Sequence, residues 1–183
     1  MIDNKTTVQE IAALVSSALE QAGITATLSG GAAVTIFSDN AYESADLDFV
    51  TSERNKEIAT VVESLGFTRA GRSRMFEHPE TDWYLEFPPG PLGFGDTHVE
   101  TSELPLLITE FGPLRIITPT LCVVDRLAAC WYHGDRQTWD QAIEVAKRQV
   151  IDWEFVYDWA EKENQSKQEV DKLRREAGIY WQS

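Results

Sequence analysis

The sequence predicts an α/β (α+β) chain with a C-terminal helical part. Three observations carry that expectation. Helix-period and strand-period segments alternate over the first half of the chain. A run of short strand candidates follows between proline- and glycine-rich turns. From Pro119 onward almost every segment has helical spacing.

From Thr6 to about Ala22, Val8, Ile11, Ala12, Val15, Ala18 and Leu19 recur at helical spacing, and Gly23 follows as a C-cap. Ile24 to Leu28 reads as a strand, Ser29-Gly30-Gly31 as a junction, and Ala32 to Phe37 as a helix springing from it. A polar loop from Ser38 to Ser44 leads to a strand from Ala45 to Val50. Ser52 to Leu65 is amphipathic, with Ile58, Val61, Val62 and Leu65 on one stripe and Gly66 closing it. Phe67 to Ala70, Arg74 to Glu77 and Asp82 to Phe87 read as strands, and Pro88 to Gly95 as a loop. Leu104 to Thr109 and Leu114 to Ile117 read as a hairpin turning at Gly112-Pro113, with Pro105 confining the first strand to an edge. Pro119 suits a first helical turn, and helices are expected beyond it, including 135–149, 152–163 and 165–177. The expected division is 1–118 as a sheet domain and 119–183 as a helical region packed on it.

Composition narrows the class. The chain has 183 residues, 43% hydrophobic and 25% charged, which suits a globular fold. Thirty acids against 16 bases leave a net charge of −14. That excess argues against a broad groove for long nucleic acid, which needs Lys/Arg–phosphate contacts. It suits a cationic substrate or a basic protein partner. No basic-then-apolar leader opens the sequence, and no apolar run approaches the roughly 20 residues of a membrane helix. Cys122 and Cys130 fall about 12 Å apart along one helix at ~1.5 Å per residue, too far for a disulfide. A reduced, cytoplasmic protein with no membrane contact is expected. Cys130 and His133 supply two of the four ligands of a closed zinc site and no partner pair is evident, so zinc is not expected. Most of the six tryptophans fall in the helical part and read as packing anchors.

The chemistry lies in Leu28-Ser29-Gly30-Gly31 and Ala45-Asp46-Leu47-Asp48-Phe49-Val50. Aspartate is disfavoured in strands, yet two alternate here with apolar residues. Alternation puts Asp46 and Asp48 on one face and Leu47 and Phe49 on the core side. Two close carboxylates repel unless a cation joins them, and Mg²⁺ or Mn²⁺ meets that need. Glycines at a strand-to-helix junction let backbone N–H groups approach a phosphate, and the Ser29 hydroxyl adds a donor. A third carboxylate is expected from Glu86, as general base or second-metal ligand, with Asp82 in reserve. Arg72 and Arg74 are candidates for gripping a triphosphate, against an ordinary basic hairpin.

These motifs resemble the DNA polymerase beta-like nucleotidyltransferase superfamily: a glycine pair, an Asp-x-Asp on a strand, and a later acid on another strand. Gly30-Gly31, Ser44 to Phe49, Thr118-Pro119-Thr120, Asp125 to Ala129 and Gly134-Asp135-Arg136 look like the compact bacterial type related to abortive-infection and toxin–antitoxin nucleotidyltransferases. The resemblance spans roughly residues 24 to 149. It implies a mixed sheet flanked by helices and Mg²⁺-dependent transfer of a nucleoside monophosphate from an NTP to an acceptor hydroxyl. The acceptor would be a tRNA end, a protein side chain or a small molecule such as an aminoglycoside. It also implies that Arg126 and Asp135 orient the nucleotide, unless they pair with each other. The toxin-type relatives carry a lysine in an Asp-x-Lys pattern, where this chain has Asp125-Arg126. Arginine stays protonated and cannot serve as a base. The alternative is therefore a catalytically silent module of the same fold that binds nucleotide or a protein partner.

Overall fold

The computed structural model describes residues 2–71 and 74–179. In chain order the helices are α1 (Val8–Gln21), α2 (Gly30–Phe37), α3 (Asn55–Ser64), α4 (Pro119–His133), α5 (Gln137–Arg148), α6 (Trp153–Lys162) and α7 (Lys167–Glu176). The strands are β1 (Thr27–Ser29), β2 (Asp46–Val50), β3 (Thr68–Arg69), β4 (Met75–Glu77), β5 (Tyr84–Glu86), β6 (Gly93–Phe94), β7 (Thr97–His98), β8 (Leu106–Thr109) and β9 (Gly112–Arg115). The expected α/β class with a mixed sheet stands. The chain divides into two compact units, each made of several segments, and one of the boundaries falls inside α2.

The first unit holds the chain up to Ala33, Ser44–Leu92 and Val99–Ile117. Among its described residues five strands form one sheet in the order β1-β2-β5-β4-β3. The β2–β5 pair is parallel and the other pairs are antiparallel, so the sheet is mixed. The alternation in the strands is the reason for their register. Leu28, Leu47, Phe49, Phe76, Leu85 and Phe87 are fully buried, and they share one face. Each such side chain contributes about 1.5–3 kcal/mol relative to exposure. The rings of Phe49 and Phe87 stack at 5.9 Å, and Phe76 meets Phe87 edge-on at 5.7 Å. A one-residue slip of β2 would bury Asp46 and Asp48 in that apolar layer.

Helix α1 begins with a capping box. The Glu10 carboxylate accepts from the Thr7 backbone N–H at 2.7 Å while the Thr7 hydroxyl accepts from the Glu10 N–H. That backbone bond is the main reason the Glu10 carboxyl sits below its ordinary value. Its apolar stripe (Val8, Ile11, Val15 and Leu19) is buried, and α1 packs against α3 and β9. The nearly buried Arg115 donates to both oxygens of Glu20, at 2.5 and 3.1 Å, and to the Thr101 carbonyl at 3.0 Å.

The β8–β9 hairpin corrects one expectation. Gly112 and Pro113 lie in β9, paired with Thr109 and Ile108, and the turn is Glu110-Phe111. The Gly-Pro dipeptide is a local turn signal, but register follows burial: Leu114 is fully buried and Arg115 is 9% exposed. The expected strand at Leu114 to Ile117 accordingly starts earlier, and Pro105 falls just ahead of β8. The helix expected to start at Ala32 starts at Gly30.

The second unit holds Val34–Glu43, Gly93–His98 and the chain from Thr118 on. Thr118 caps α4, its hydroxyl accepting from the Leu121 N–H at 3.2 Å, with Pro119 in the first turn. Gly134 ends α4 in the left-handed conformation at φ 69°. Helix α4 packs on α5 and α6, and α7 on α5 and α6. Trp131 and Trp159 stack at 5.3 Å with their rings nearly parallel, and the buried Trp159 indole N–H donates to the Phe94 carbonyl at 3.2 Å. The β6–β7 hairpin falls within and just beyond the stretch read as a loop, so His98 sits on a short strand. Two-residue strands leave no periodicity to read.

Glu163, 6% exposed, accepts from the Asp96 backbone N–H at 2.9 Å and from the Tyr132 hydroxyl. The Tyr132 bond, ahead of burial, pushes its phenol from 10 up to about 12. The folded chain thus holds this proton more tightly than the unfolded chain. The resulting stability is whole below pH ~10 and is lost as pH rises through ~12. Comparison of alkaline unfolding curves for wild type and Tyr132→Phe checks this. The wild type should lose stability more steeply across that window. Parallel curves would exclude the linkage.

Candidate active site

The face of the sheet opposite the apolar layer is polar, and the same alternation produces it. In the parallel β2–β5 pair, Asp46 lies opposite Tyr84 and Asp48 opposite Glu86. In the antiparallel β1–β2 pair, Ser29 lies opposite Asp48. Residues opposite one another project to the same side. Ser29, Asp46, Asp48, Tyr84 and Glu86 therefore share one face. The carboxylates of Asp46, Asp48 and Glu86 each offer an oxygen within 4.8 Å of the others, and all three residues are half-buried. The structure thus brings together the three acids singled out by sequence. Asp82 precedes β5 and is exposed.

Two further contacts shape this cluster. The Ser44 hydroxyl donates to Asp46 Oδ1 and fixes that carboxylate from the end of the preceding loop. Sequence reading placed Ser44 at the end of a polar loop and at the head of the Ser44 to Phe49 motif, but gave it no role toward Asp46. The available signal was a hydroxyl two residues ahead of a strand carboxylate, a common local bonding pattern. Gly30 follows β1 directly with φ +66°, a conformation that suits glycine. A Cβ on Gly30 would fall on the Asp48 carboxylate. The strand-to-helix junction therefore runs hard against Asp48, with the start of α2 beside the acids.

Tyr84 registers the charge of the cluster. Its phenol is raised first by burial, then by the charges of Asp46, Glu86 and Asp48. It stays protonated and is a hydrogen-bond donor at neutral pH.

No protein-family model matches the chain, and no curated protein matches it by sequence. Two solved structures resemble it. One is a crystal structure of ANT(2'')-Ia in complex with adenylyl-2''-tobramycin. It is 17% identical, covering 78% of this chain and 98% of that one at a TM-score of 0.43. The other is a solution structure of the antibiotic-resistance factor ANT(2'')-Ia. It is 18% identical, covering 88% of this chain and 97% of that one at a TM-score of 0.47. The acid cluster has a chemistry of its own.

That chemistry fits a hard divalent cation. The donors are three carboxylates, the oxygen ligands that Mg²⁺ and Mn²⁺ take, held convergent by two adjacent strands.

Arg74 Nη2 donates to the backbone carbonyls of Thr51, at 3.4 Å, and Glu53, at 3.0 Å, and so ties the segment after β2 to the start of β4. Arg72 lies outside the described residues. In the second unit, Arg126 forms its ion pair with Asp125 at 2.7 Å and donates to Gln141 at 3.1 Å. The Asp135 carboxylate accepts from the Gln137 N–H at 3.0 Å, just ahead of α5. No helix among the described residues is long and apolar enough to cross a membrane. The Cys122 thiol is fully buried and pushed far up by desolvation, so it stays protonated and inert.

Proposed function

We propose that this chain is a Mg²⁺-dependent nucleotidyltransferase that moves a nucleoside monophosphate from an NTP to an acceptor hydroxyl. The observation that carries the reading is the convergence of Asp46, Asp48 and Glu86 from two adjacent parallel strands. Beside it stands a glycine junction pressed against Asp48. The kinship with compact toxin–antitoxin-type enzymes, and a bacterial, cytoplasmic setting, belong to the same proposal.

Each residue has a definite task. Asp46 and Asp48 hold the cation, and the Ser44 hydroxyl keeps Asp46 aimed at it. When bound, the metal neutralises charge on the phosphates and steadies the attacking and leaving oxygens. Ser29, Gly30 and Gly31 supply donors to the triphosphate at the start of α2. Glu86 completes the ligand set or takes the proton of the acceptor hydroxyl. In the reaction the acceptor oxygen bonds to the α-phosphorus, the bond to pyrophosphate breaks, and the proton passes to a carboxylate. Arg74, Arg126 and Asp135 are proposed to orient the nucleotide, as is Arg72.

Calorimetric titration with each NTP, with and without Mg²⁺, tests the reading. Saturable binding that requires Mg²⁺ and prefers one base is expected. Binding indifferent to Mg²⁺, or no binding of any NTP, would rule it out.

A further inference from the structure

The β8–β9 hairpin leaves one backbone edge open. Just past β9 the chain meets β1: Ile116 bridges Leu28, and the Ile117 N–H donates to the Leu28 carbonyl at 3.0 Å. Among the described residues β8 pairs with β9 alone. The register shows which of its groups are spent. Opposite Ile108 is Pro113, whose carbonyl accepts from the Ser17 hydroxyl of α1 at 3.2 Å. Opposite Leu106 is Arg115, whose N–H donates to the Ser16 hydroxyl at 2.8 Å. Those β9 groups turn to α1, away from β8. Bonded and unbonded pairs alternate along an antiparallel ladder, so the Leu107–Leu114 and Thr109–Gly112 pairs carry the β8–β9 bonds. The N–H and C=O groups of Leu106 and Ile108 therefore point outward, where no strand lies among the described residues.

The side chains of this edge suit a covering strand. Ile108 is 77% exposed, and Leu106 and Leu107 are 37% exposed each. Edges that stay free are commonly blunted by a charge, an interior proline or a bulge. Leu104 to Thr109 holds no charge, Pro105 precedes β8, and the four β8–β9 pairs run without a bulge. The surrounding charge states what kind of strand fits. Exposed Glu103 stands ahead of β8 and exposed Glu110 just after it. Seven residues at ~3.3 Å each put them up to about 23 Å apart. A second copy laid antiparallel on this edge would bring Glu103 of each chain close to Glu110 of the other, on two chains of charge −14. A strand with basic ends meets opposite charge at both places.

We propose that the outer edge of β8 is the docking site for an extended segment of a partner protein, apolar in its middle and basic at both ends. The segment joins the hairpin as a third strand. Its backbone bonds to the N–H and C=O groups of Leu106 and Ile108, its apolar side chains cover those two residues, and its basic ends meet Glu103 and Glu110. Backbone pairing supplies the affinity and the flanking charges select the partner. The proposal stands apart from nucleotidyl transfer, and its test needs neither nucleotide nor Mg²⁺.

The probe is an end-capped, fluorescent peptide, Lys-Val-Thr-Val-Thr-Val-Thr-Lys, whose lysines share the spacing of Glu103 and Glu110. Anisotropy follows its binding to the full chain. Two altered peptides accompany it, one with Glu at both ends and one N-methylated at every interior residue. Two protein variants are compared with wild type. Ile108→Pro removes an outward N–H at an edge position that tolerates proline and leaves the β9 bonds in place. Glu103→Gln/Glu110→Gln removes the flanking charges. Wild type should bind the lysine peptide saturably. Ile108→Pro, and the N-methylated peptide on wild type, should each bind about tenfold or more weakly, since both remove backbone bonds. The double variant should bind about three- to tenfold more weakly, the range that two exposed ion pairs cover. The Glu-ended peptide should not bind. Sedimentation should show a monomer. Absence of lysine-peptide binding to wild type overturns the proposal. So does equal binding of the N-methylated peptide, which leaves the protein unaltered and so holds whatever Ile108→Pro does to the fold. Equal binding of the Glu-ended peptide overturns the basic partner. A wild-type dimer that Ile108→Pro abolishes would give the edge to a second copy and overturn it as well.

Discussion

Asp48→Asn should lower nucleotidyl transfer by ~10²-fold or more, because it removes a charged ligand from the centre of the acid cluster. The argument is electrostatic. Three carboxylates within 4.8 Å of one another repel when no cation joins them. The wild-type site thus carries a cost that a bound divalent ion offsets. The amide keeps the size of the side chain but removes one negative charge. Two opposite effects follow. The metal-free variant should be as stable as wild type, or more stable by about 0.5–1 kcal/mol, since half-buried like charges are partly screened. The stabilisation that Mg²⁺ gives the wild type should shrink or vanish. Thermal melts with and without Mg²⁺ read both signs, and radiolabelled transfer reads the activity. Glu86→Gln divides its two candidate roles. A base is needed for the proton, so that variant should keep Mg²⁺-dependent NTP binding while transfer falls ~10²–10⁴-fold. If Glu86 acts chiefly as a ligand, binding and transfer fall together. Equal transfer by Asp48→Asn and wild type would remove Asp48 from the site.

The acid face was legible because it rests on a two-residue period, which survives whatever the partners of the strand turn out to be. Asp46 and Asp48 needed only the apolar residues between them. Glu86 was legible by the same token, flanked by Leu85 and Phe87. Its position opposite Asp48 was not, because a parallel register between strands 38 residues apart (48 to 86) comes from tertiary packing rather than from either segment. Local signals misled where packing outweighed them. Gly112-Pro113 carries a turn signature, yet the burial of Leu114 sets the register and moves the turn to Glu110-Phe111. The partners of Arg126 and Arg74 were also hidden, since a long basic side chain chooses among carbonyls and acids only after the backbone is placed. Arg74 spends its guanidinium on the carbonyls of Thr51 and Glu53. Its proposed role toward a nucleotide therefore requires donors beyond that Nη2 group.

Gly30→Ala joins backbone and chemistry in one substitution, and its outcome separates them. The residue sits at φ +66°, where an L side chain costs about 1–2 kcal/mol. A Cβ there would fall on the Asp48 carboxylate, so the side chain must turn away or β1 must shift against β2. The β1–β2 pairing of Ser29 with Asp48 resists the second course, because Leu28 and Phe49, the next pair, are fully buried. The carboxylate is the part that yields. Denaturant unfolding should show a loss of at least ~1–2 kcal/mol, with the folded state retained. Mg²⁺-dependent NTP binding should fall further than stability alone accounts for, since even the fully folded variant has Asp48 displaced from Asp46 and Glu86. Gly23→Ala is the control. Gly23 has φ +75° but open space around a Cβ, so it carries the backbone cost without the clash. It should lose comparable stability and keep the full Mg²⁺ response. Loss of that response in both variants would mean that backbone strain alone disables the site. Retention in both would mean that the approach of Gly30 to Asp48 is dispensable for nucleotide binding.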